Sequence, residues 1–454
     1  MTASLLPSLR SSAARPSVAT LVFAVAIPVI FLHPHYQPSL TFGGVTANLT
    51  DVGIAAVAIA AIVEGVRRGF TPLRAGISVW MPLVAFVVWI LLSLVWARRF
   101  DPTYALGSHL VSAAKFAEYV VLAPAVPLIV RRPADRRALL WAVVIWSSFL
   151  TLIAVLQFLG LVNEFKGRRP GQREPSFIGV HDLGAFSGAA LSIAFAGLLV
   201  RSRRTSRTVA AGLTGAVGIA VAAALDSVGG MWLAAVVAWG IARRRASAGI
   251  KPALALAAIC GVATVGAVSL RGSAIEQFLR FLGIKPETRQ TQQDIQTYAH
   301  RTLLGYIGLK IWVAHPLIGV GWQESAEEKA YGPTLPAAHR RFSTEAPQSF
   351  PAPQHPWGVQ NGIIQTLADL GVVGLLLLAA AVGAALTIAG RAVNRGPPQS
   401  VGPAIISCGW IIFAIAVFTG SGLLPGLPVD ALLWLGLGLA ISLRTIVDSG
   451  AEPA

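Results

Sequence analysis

Charge is scarce in this chain. Of its 454 residues, 12% are Asp, Glu, Lys or Arg, against roughly a quarter in soluble domains. That scarcity excludes an ordinary water-facing surface. Cysteine is nearly absent: Cys260 and Cys408 both lie in apolar runs, which excludes a disulfide framework and a cysteine-based zinc site. Acidic residues are outnumbered 20 to 36 by Lys and Arg, leaving a formal charge of +16. In a soluble protein that excess would point to nucleic acid. Here the arginines gather in short segments between apolar runs, where they set orientation in a membrane. The expected partner is therefore a lipid bilayer and not nucleic acid.

What is abundant is hydrophobic sequence, 55% of the chain. Apolar runs of about 17–22 residues recur along its length, each able to cross a hydrocarbon core of ~30 Å. They fall at about 17–33, 46–64, 78–97, 108–130, 139–160, 181–200, 208–225, 229–242, 252–270, 372–390, 401–421 and 429–446. The fold class expected is an all-α polytopic membrane protein of about twelve transmembrane helices, with one large external loop between spans nine and ten. Arg10 and Arg15 precede the first run, which reads as a retained span and not a cleaved signal. The chain divides into residues 1–270 with spans one to nine, the loop 271–358, and residues 359–454 with a surface helix and three spans.

The basic residues give the orientation. Arg67, Arg68 and Arg74, then Arg131, Arg132, Arg136 and Arg137, follow spans two and four. Arg201, Arg203, Arg204 and Arg207 follow span six, Arg243, Arg244, Arg245 and Lys251 span eight, and Arg391 and Arg395 span ten. All these connections share one side, which the positive-inside rule makes cytoplasmic, together with both termini. One external segment disobeys: residues 161–180 carry Lys166, Arg168, Arg169 and Arg173. An anionic ligand accounts for them, since Arg offers a planar fork matched to phosphate oxygens; anionic lipid head groups account for them equally.

Residues 271–358 hold nine Lys/Arg, seven Asp/Glu, four histidines and ten aromatics, Trp322 among them. Flat rings among mixed charges suit sugar faces, and they also suit a membrane interface. The spacing predicts a helix from about Asp294 to Ala314, capped by Asp294 and stopped by Pro316. Arg301, Gly305 and Gly308 share one face of it. The glycines leave room for an anionic group beside Arg301, or for close helix packing. Residues 316–321, PLIGVG, form a turn and not a dinucleotide fingerprint, because no βαβ unit surrounds them.

The stretch 354–378, QHPWGVQNGIIQTLADLGVVGLLLL, closes the loop. A continuous helix from 359 to 390 would be about 48 Å long, too long for one untilted span. Gly371 and Gly374 resolve this by splitting a surface helix over 360–370 from the span. Asn361, Gln365 and Asp369 form a stripe at i, i+4 and i+8, expected to face water or a glycan. His355, just upstream, could act as a base or a hydrogen-bond donor. His181 and Asp182 open span six at the outer face. Lys115 and Glu118, at i and i+3 inside span four, are expected to pair with each other. Asp226 occupies the short outer turn between spans seven and eight.

Two segments, RTLLGYIGLKIWVAHPLIGVGW (301–322) and VQNGIIQTLADLGVVGLLLL (359–378), are similar to signatures of the bacterial O-antigen ligase/O-antigen polymerase family. Those signatures are an Arg-led helix ending in Pro-Leu-x-Gly-x-Gly and an Asn-led helix ending in Leu-Gly-x-x-Gly. The resemblance extends to the span pattern and the loop. It implies a GT-C-type glycosyltransferase without cofactor or metal. The donor it implies is a glycan on polyprenyl pyrophosphate; the acceptor is a glycan, lipid or protein outside the cytoplasmic membrane. Together with the residue readings above, it makes Arg301, Asn361 and His355 the expected catalytic residues, and Arg173, Arg168, Arg169, His181, Gln360, Gln365 and Trp322 the expected substrate contacts. Two positions depart from the family. Val228 replaces an Arg held to contact the pyrophosphate, a role that could pass to Arg173. Gln360 stands where a His often precedes the Asn.

The rival class is a lipid-linked oligosaccharide flippase or polysaccharide exporter, which the span count and the Lys115–Glu118 pair also fit. Against it stand the asymmetric loop and the lack of an inverted repeat.

Overall fold

The computed structural model describes residues 15–33, 36–42, 45–162, 170–200, 206–245, 249–285, 297–422 and 428–448. The described elements begin with α1 (Val18–Ile30), a hairpin of β1 (Ser39–Phe42) and β2 (Val45–Asn48), α2 (Leu49–Arg68), a short α3 (Thr71–Ala75) and α4 (Ile77–Phe100). It continues through α5 (Leu106–Val120), α6 (Leu122–Ile129), α7 (Pro133–Phe158), α8 (Val180–Val200), α9 (Ser206–Ala222), α10 (Leu225–Arg245) and α11 (Ile250–Ser269). A run of shorter helices follows: α12 (Gly272–Phe281), α13 (Thr297–Ala314), α14 (Glu328–Tyr331) and α15 (Leu335–Arg341). The chain then returns to long helices in α16 (Gly362–Arg395), α17 (Val401–Phe418) and α18 (Pro428–Asp448).

A helix stands at each expected span position. Among the described residues, nine segments are long and apolar enough to cross a membrane, and α1 and α9 supply shorter apolar ones. The single span expected over 108–130 is two helices. Pro124 has no N–H to give to Val120, so the hydrogen-bond ladder breaks where α5 meets α6. Lys115 does not pair with Glu118 alone: its closer partner is Asp51 of α2, with Glu118 at 3.8 Å.

The bundle centres on α8, which packs against α7, α9, α10 and α17. Lipid tails are as apolar as leucine, so close approach through small residues holds such helices together. The α8 run Gly184-Ala185-Phe186-Ser187-Gly188-Ala189-Ala190 is buried. A Cβ on Gly188 would overlap the ring of Phe413 on α17. Nearby, Trp410 donates its indole N–H to the Ala189 carbonyl at 3.1 Å.

The broken helix expected at Gly371 is present: within α16, Gly371 has φ 67° and ψ −171°. A break strands backbone groups that must find other partners, and here the PLIGVG turn supplies them. Val320 N donates to Ala368 O at 3.0 Å and Gly321 N to Asp369 O at 2.8 Å. In return, Val372 N donates to Pro316 O at 2.9 Å and Val373 N to Leu317 O at 3.3 Å. The Trp89 indole N–H takes the Leu370 carbonyl at 3.0 Å. The two glycine-bearing signatures, some fifty residues apart in sequence, are thus one main-chain joint.

The polar stripe on the first part of α16 faces inward and not toward water. Gln365 is 6% exposed and Asp369 1%. Asp369 accepts from the Ser325 amide at 3.0 Å and from Gln365 Nε2 at 3.2 Å. Trp322 is also 1% exposed, so it is an anchor and not a sugar platform. Its indole N–H donates to Ser112 Oγ at 2.8 Å, its amide to Ser93 Oγ at 3.0 Å, and its carbonyl accepts from Tyr104 at 2.7 Å.

Beside this joint, Glu324 is fully buried and neither carboxylate oxygen has a hydrogen-bond partner. Burial, with Asp101, Glu327 and Asp369 nearby, pushes its carboxyl up to about 8. The folded state therefore keeps a proton that the unfolded chain loses near pH ~4.3. Between those values the unfolded state binds fewer protons, so stability falls as pH rises from about 4.3 to about 8 and levels off above. Glu324→Gln should flatten that slope, most of all between pH 6 and 8, and raise the melting temperature at pH 8. Thermal unfolding in detergent across pH 5 to 9 checks this, and an unchanged slope refutes it.

Candidate active site

A cavity of about 770 Å³ opens where several helix ends converge. These are the start of α8, the α9–α10 junction, the start of α16 and the end of α17, with α12 and α13 closing over them. Its lining carries Arg173, Arg271, Arg301 and Arg341 against a single carboxylate, Asp226. Four cations less one anion leaves +3, a site built for an anion of several charges.

Arg301 is the hub. It lies in the second turn of α13, and the expected Ala314 end of that helix is observed. The Asp294 cap lies outside the described residues. Arg301 Nε donates to Gln360 Oε1 at 3.3 Å, and its Nη2 lies 3.0 Å from His181 Nε2. The other His181 nitrogen, Nδ1, lies 2.7 Å from Asp226 Oδ2. Burial lowers the Arg301 guanidinium pKa, yet Arg stays charged. The two glycines of its face divide their roles. Gly305 lines the cavity, whereas Gly308 packs beneath Val359 and Ile364.

Arg271 sits at the α11–α12 corner, 7% exposed. It donates from Nε to the Tyr298 hydroxyl at 3.1 Å, with its guanidinium 5.0 Å from that ring's centre. Asn361 caps α16: its Oδ1 accepts from the amides of Ile363 and Ile364 at 3.1 and 3.0 Å. Its Nδ2 donates to the Thr419 carbonyl at 3.2 Å, tying α16 to the end of α17. The Asn that leads this helix is therefore explained by capping as well as by its place on the cavity wall.

Along α13 the lining changes from Tyr298 and Arg301 to Tyr306 and Leu309. At 1.5 Å per residue that is a path of about 12 Å from charge to apolar surface. Phe278, Phe281 and Leu282 of the α12 segment extend the apolar wall.

Of the residues expected at the site, Arg301, Arg173, His181, Gln360 and Asn361 come together here. Gln365 and Trp322 do not line the cavity, being occupied in the packing described above. His355 is not on the wall either; it lies in a turn closed by backbone bonds with Ala352 at 3.0 and 3.3 Å. Arg168 and Arg169 lie outside the described residues. Val228 is buried at 8% exposure and brings no charge. Arg271 and Arg341 were missed as site residues, although a signal existed. They are cations in a segment expected outside, and so oppose the positive-inside rule as Arg173 does.

Fold and site define a polytopic helical membrane protein with a cationic, partly apolar cavity at one end of its bundle. Residues 227–379 match the family model described as O-antigen ligase. That match, over about a third of the chain, makes the region similar to the O-antigen ligase family and supports a function in polysaccharide biosynthesis at membranes. The matched region runs from the first turn of α10, through Arg271, Arg301 and Asn361, past the Gly371 break. It excludes Arg173, His181 and Asp226. No curated protein matches the chain.

Proposed function

We propose that this protein is a membrane glycosyltransferase of the O-antigen ligase/polymerase type. It takes a glycan from polyprenyl pyrophosphate on the outer face of the cytoplasmic membrane and joins it to a glycan, lipid or protein acceptor. The observation that carries this reading is the arginine cluster meeting an apolar wall in one cavity. Such a site fits a pyrophosphate with a hydrocarbon tail. Arg301, Arg271, Arg173 and Arg341 would hold the pyrophosphate, and charge-assisted bonds from guanidinium groups stabilise it as a leaving group. Arg271 is well placed to take over from the Arg that Val228 replaces.

About twelve spans with both termini in the cytoplasm remain the arrangement we favour. Helices α10 and α16 begin at the cavity and end in Arg243–Arg245 and Arg395. These far ends are joined, since Arg245 donates to the Gly396 carbonyl at 3.0 Å. The positive-inside rule puts that end in the cytoplasm and the cavity outside. Residues 271–358 then form an external cap on spans supplied by 1–270 and 359–454.

The test is purified protein in liposomes with lipid-linked glycan and acceptor. Glycosylated acceptor and free polyprenyl pyrophosphate should appear in equal amounts. Movement of the donor across the bilayer without product would instead make the protein a flippase.

A further inference from the structure

We propose that His181, held by Asp226, is the general base of the transfer reaction, and that Arg301 masks it until the donor is bound. This rests on the glycosyl-transfer reading above.

The protonation of His181 follows from its neighbours. A guanidinium has donors and no acceptor, so the nitrogen facing Arg301 Nη2 at 3.0 Å must present its lone pair. The ring proton of the neutral imidazole then belongs on Nδ1, donated to Asp226 Oδ2 at 2.7 Å. Asp226 is itself fixed, because its Oδ1 accepts from the Ser227 amide at 2.6 Å. Two helix starts are locked together here. Gly184 lies against Ser227, where any side chain on α8 would overlap the Ser227 hydroxyl and drive α8 from α10. Gly420 lies against both the Asp226 carboxylate and Arg301 Nη1, where a Cβ would also intrude. Carboxylate, imidazole with a fixed tautomer, and lone pair toward the cavity are the parts of a proton acceptor. Among the cavity-lining residues His181 is the one histidine and Asp226 the one carboxylate.

In the observed arrangement that lone pair is occupied. Arg301's other partner is a neutral amide oxygen at 3.3 Å. A pyrophosphate offers the guanidinium shorter, charge-assisted bonds that neither neutral partner can match. Donor binding therefore draws Arg301 away and opens His181 Nε2 to the cavity. The acceptor hydroxyl oxygen then bonds to the anomeric carbon of the donor sugar. The carbon–oxygen bond to the pyrophosphate breaks, and its electron pair leaves on polyprenyl pyrophosphate against the arginines. The hydroxyl proton passes to Nε2. The resulting imidazolium rests against Asp226 and gives its proton to water after product leaves. Base and leaving-group clamp are thus coupled through one guanidinium.

The experiment compares wild type with His181→Gln, His181→Asn and Asp226→Asn, all purified in detergent with lipid-linked glycan and acceptor. Affinity for a short polyprenyl pyrophosphate is measured in parallel and reports that the site is folded. The His181 variants should lose at least ~100-fold in kcat, with pyrophosphate affinity unchanged or tighter, since Arg301 loses its resting partner. Asp226→Asn, acting through the ring, should lower kcat about tenfold or more without raising donor KM, and Asp226→Glu should recover part of the loss. A His181 variant retaining over a third of wild-type kcat overturns the assignment. So does a fall in kcat matched by an equal fall in pyrophosphate affinity, which would make His181 a structural support. Failure of wild type itself to transfer glycan overturns the glycosyl-transfer reading, and the base with it.

Discussion

Arg301→Ala should lower kcat for glycan transfer by about 10²–10³-fold, the usual cost of deleting one preorganised charge donor. Arg301 touches both the candidate base and the α16 rim, through His181 and Gln360. Its loss would remove stabilisation of the departing pyrophosphate and leave His181 unmasked without donor. Arg301→Lys keeps a charge but loses the planar fork, so it should recover only part of the rate. His355→Ala is the contrast: the side chain lies off the cavity wall, and turnover should stay within about threefold. The readout is acceptor glycosylation at matched protein level. Full activity in Arg301→Ala would remove this residue from the mechanism.

The second large effect concerns folding. Gly371→Ala should cost about 3–5 kcal/mol or more, near the exceptional end for a point change. Its backbone region is essentially reserved for glycine, at φ 67° and ψ −171°. A Cβ there would also run into the Leu317 carbonyl, inside the joint between the two signatures. The defect would not stay local, because that joint holds the PLIGVG turn and the base of the cap. Gly383, later in the same helix, has open space around its missing Cβ, so Gly383→Ala should be neutral or slightly stabilising. Thermal unfolding and the yield of monodisperse protein compare the two. Equal behaviour would mean that the break tolerates any residue.

Much of this was legible in the sequence. Apolar run length gave the helices, because a bilayer imposes that length directly. The Gly371 break followed from a helix too long for its membrane, and Asn361 was visible as the residue leading that helix. Arg301 stood out as a lone cation beside small residues. The misreadings share a cause. An amphipathic stripe records polarity along a helix but not what lies opposite, so Gln365 and Asp369 were expected to meet water or a glycan and instead meet Ser325 and each other. Trp322 likewise announces a large ring with a donor, and either a sugar or the Ser112 hydroxyl satisfies that. His355 drew attention by sequence proximity to Asn361, whereas His181 lies 120 residues from Arg301 and reaches it where the start of α8 meets α13. Pairings of that range depend on helix crossings, which periodicity does not encode.

The joint at Gly371 also divides the labour of motion around the cavity. On the α16 side, the rim is riveted by main-chain bonds to the turn after α13, so that wall shifts only if both segments shift together. On the α12 side, among the described residues, no main-chain bond ties α12 to another helix, and α12 contributes no buried residue. Segments with little buried surface open at the lowest free energy. On the proposed glycosyl-transfer reading, a tailed substrate too bulky to thread between fixed helices would enter past α12, and opening of that wall would set how fast donor enters and spent carrier leaves.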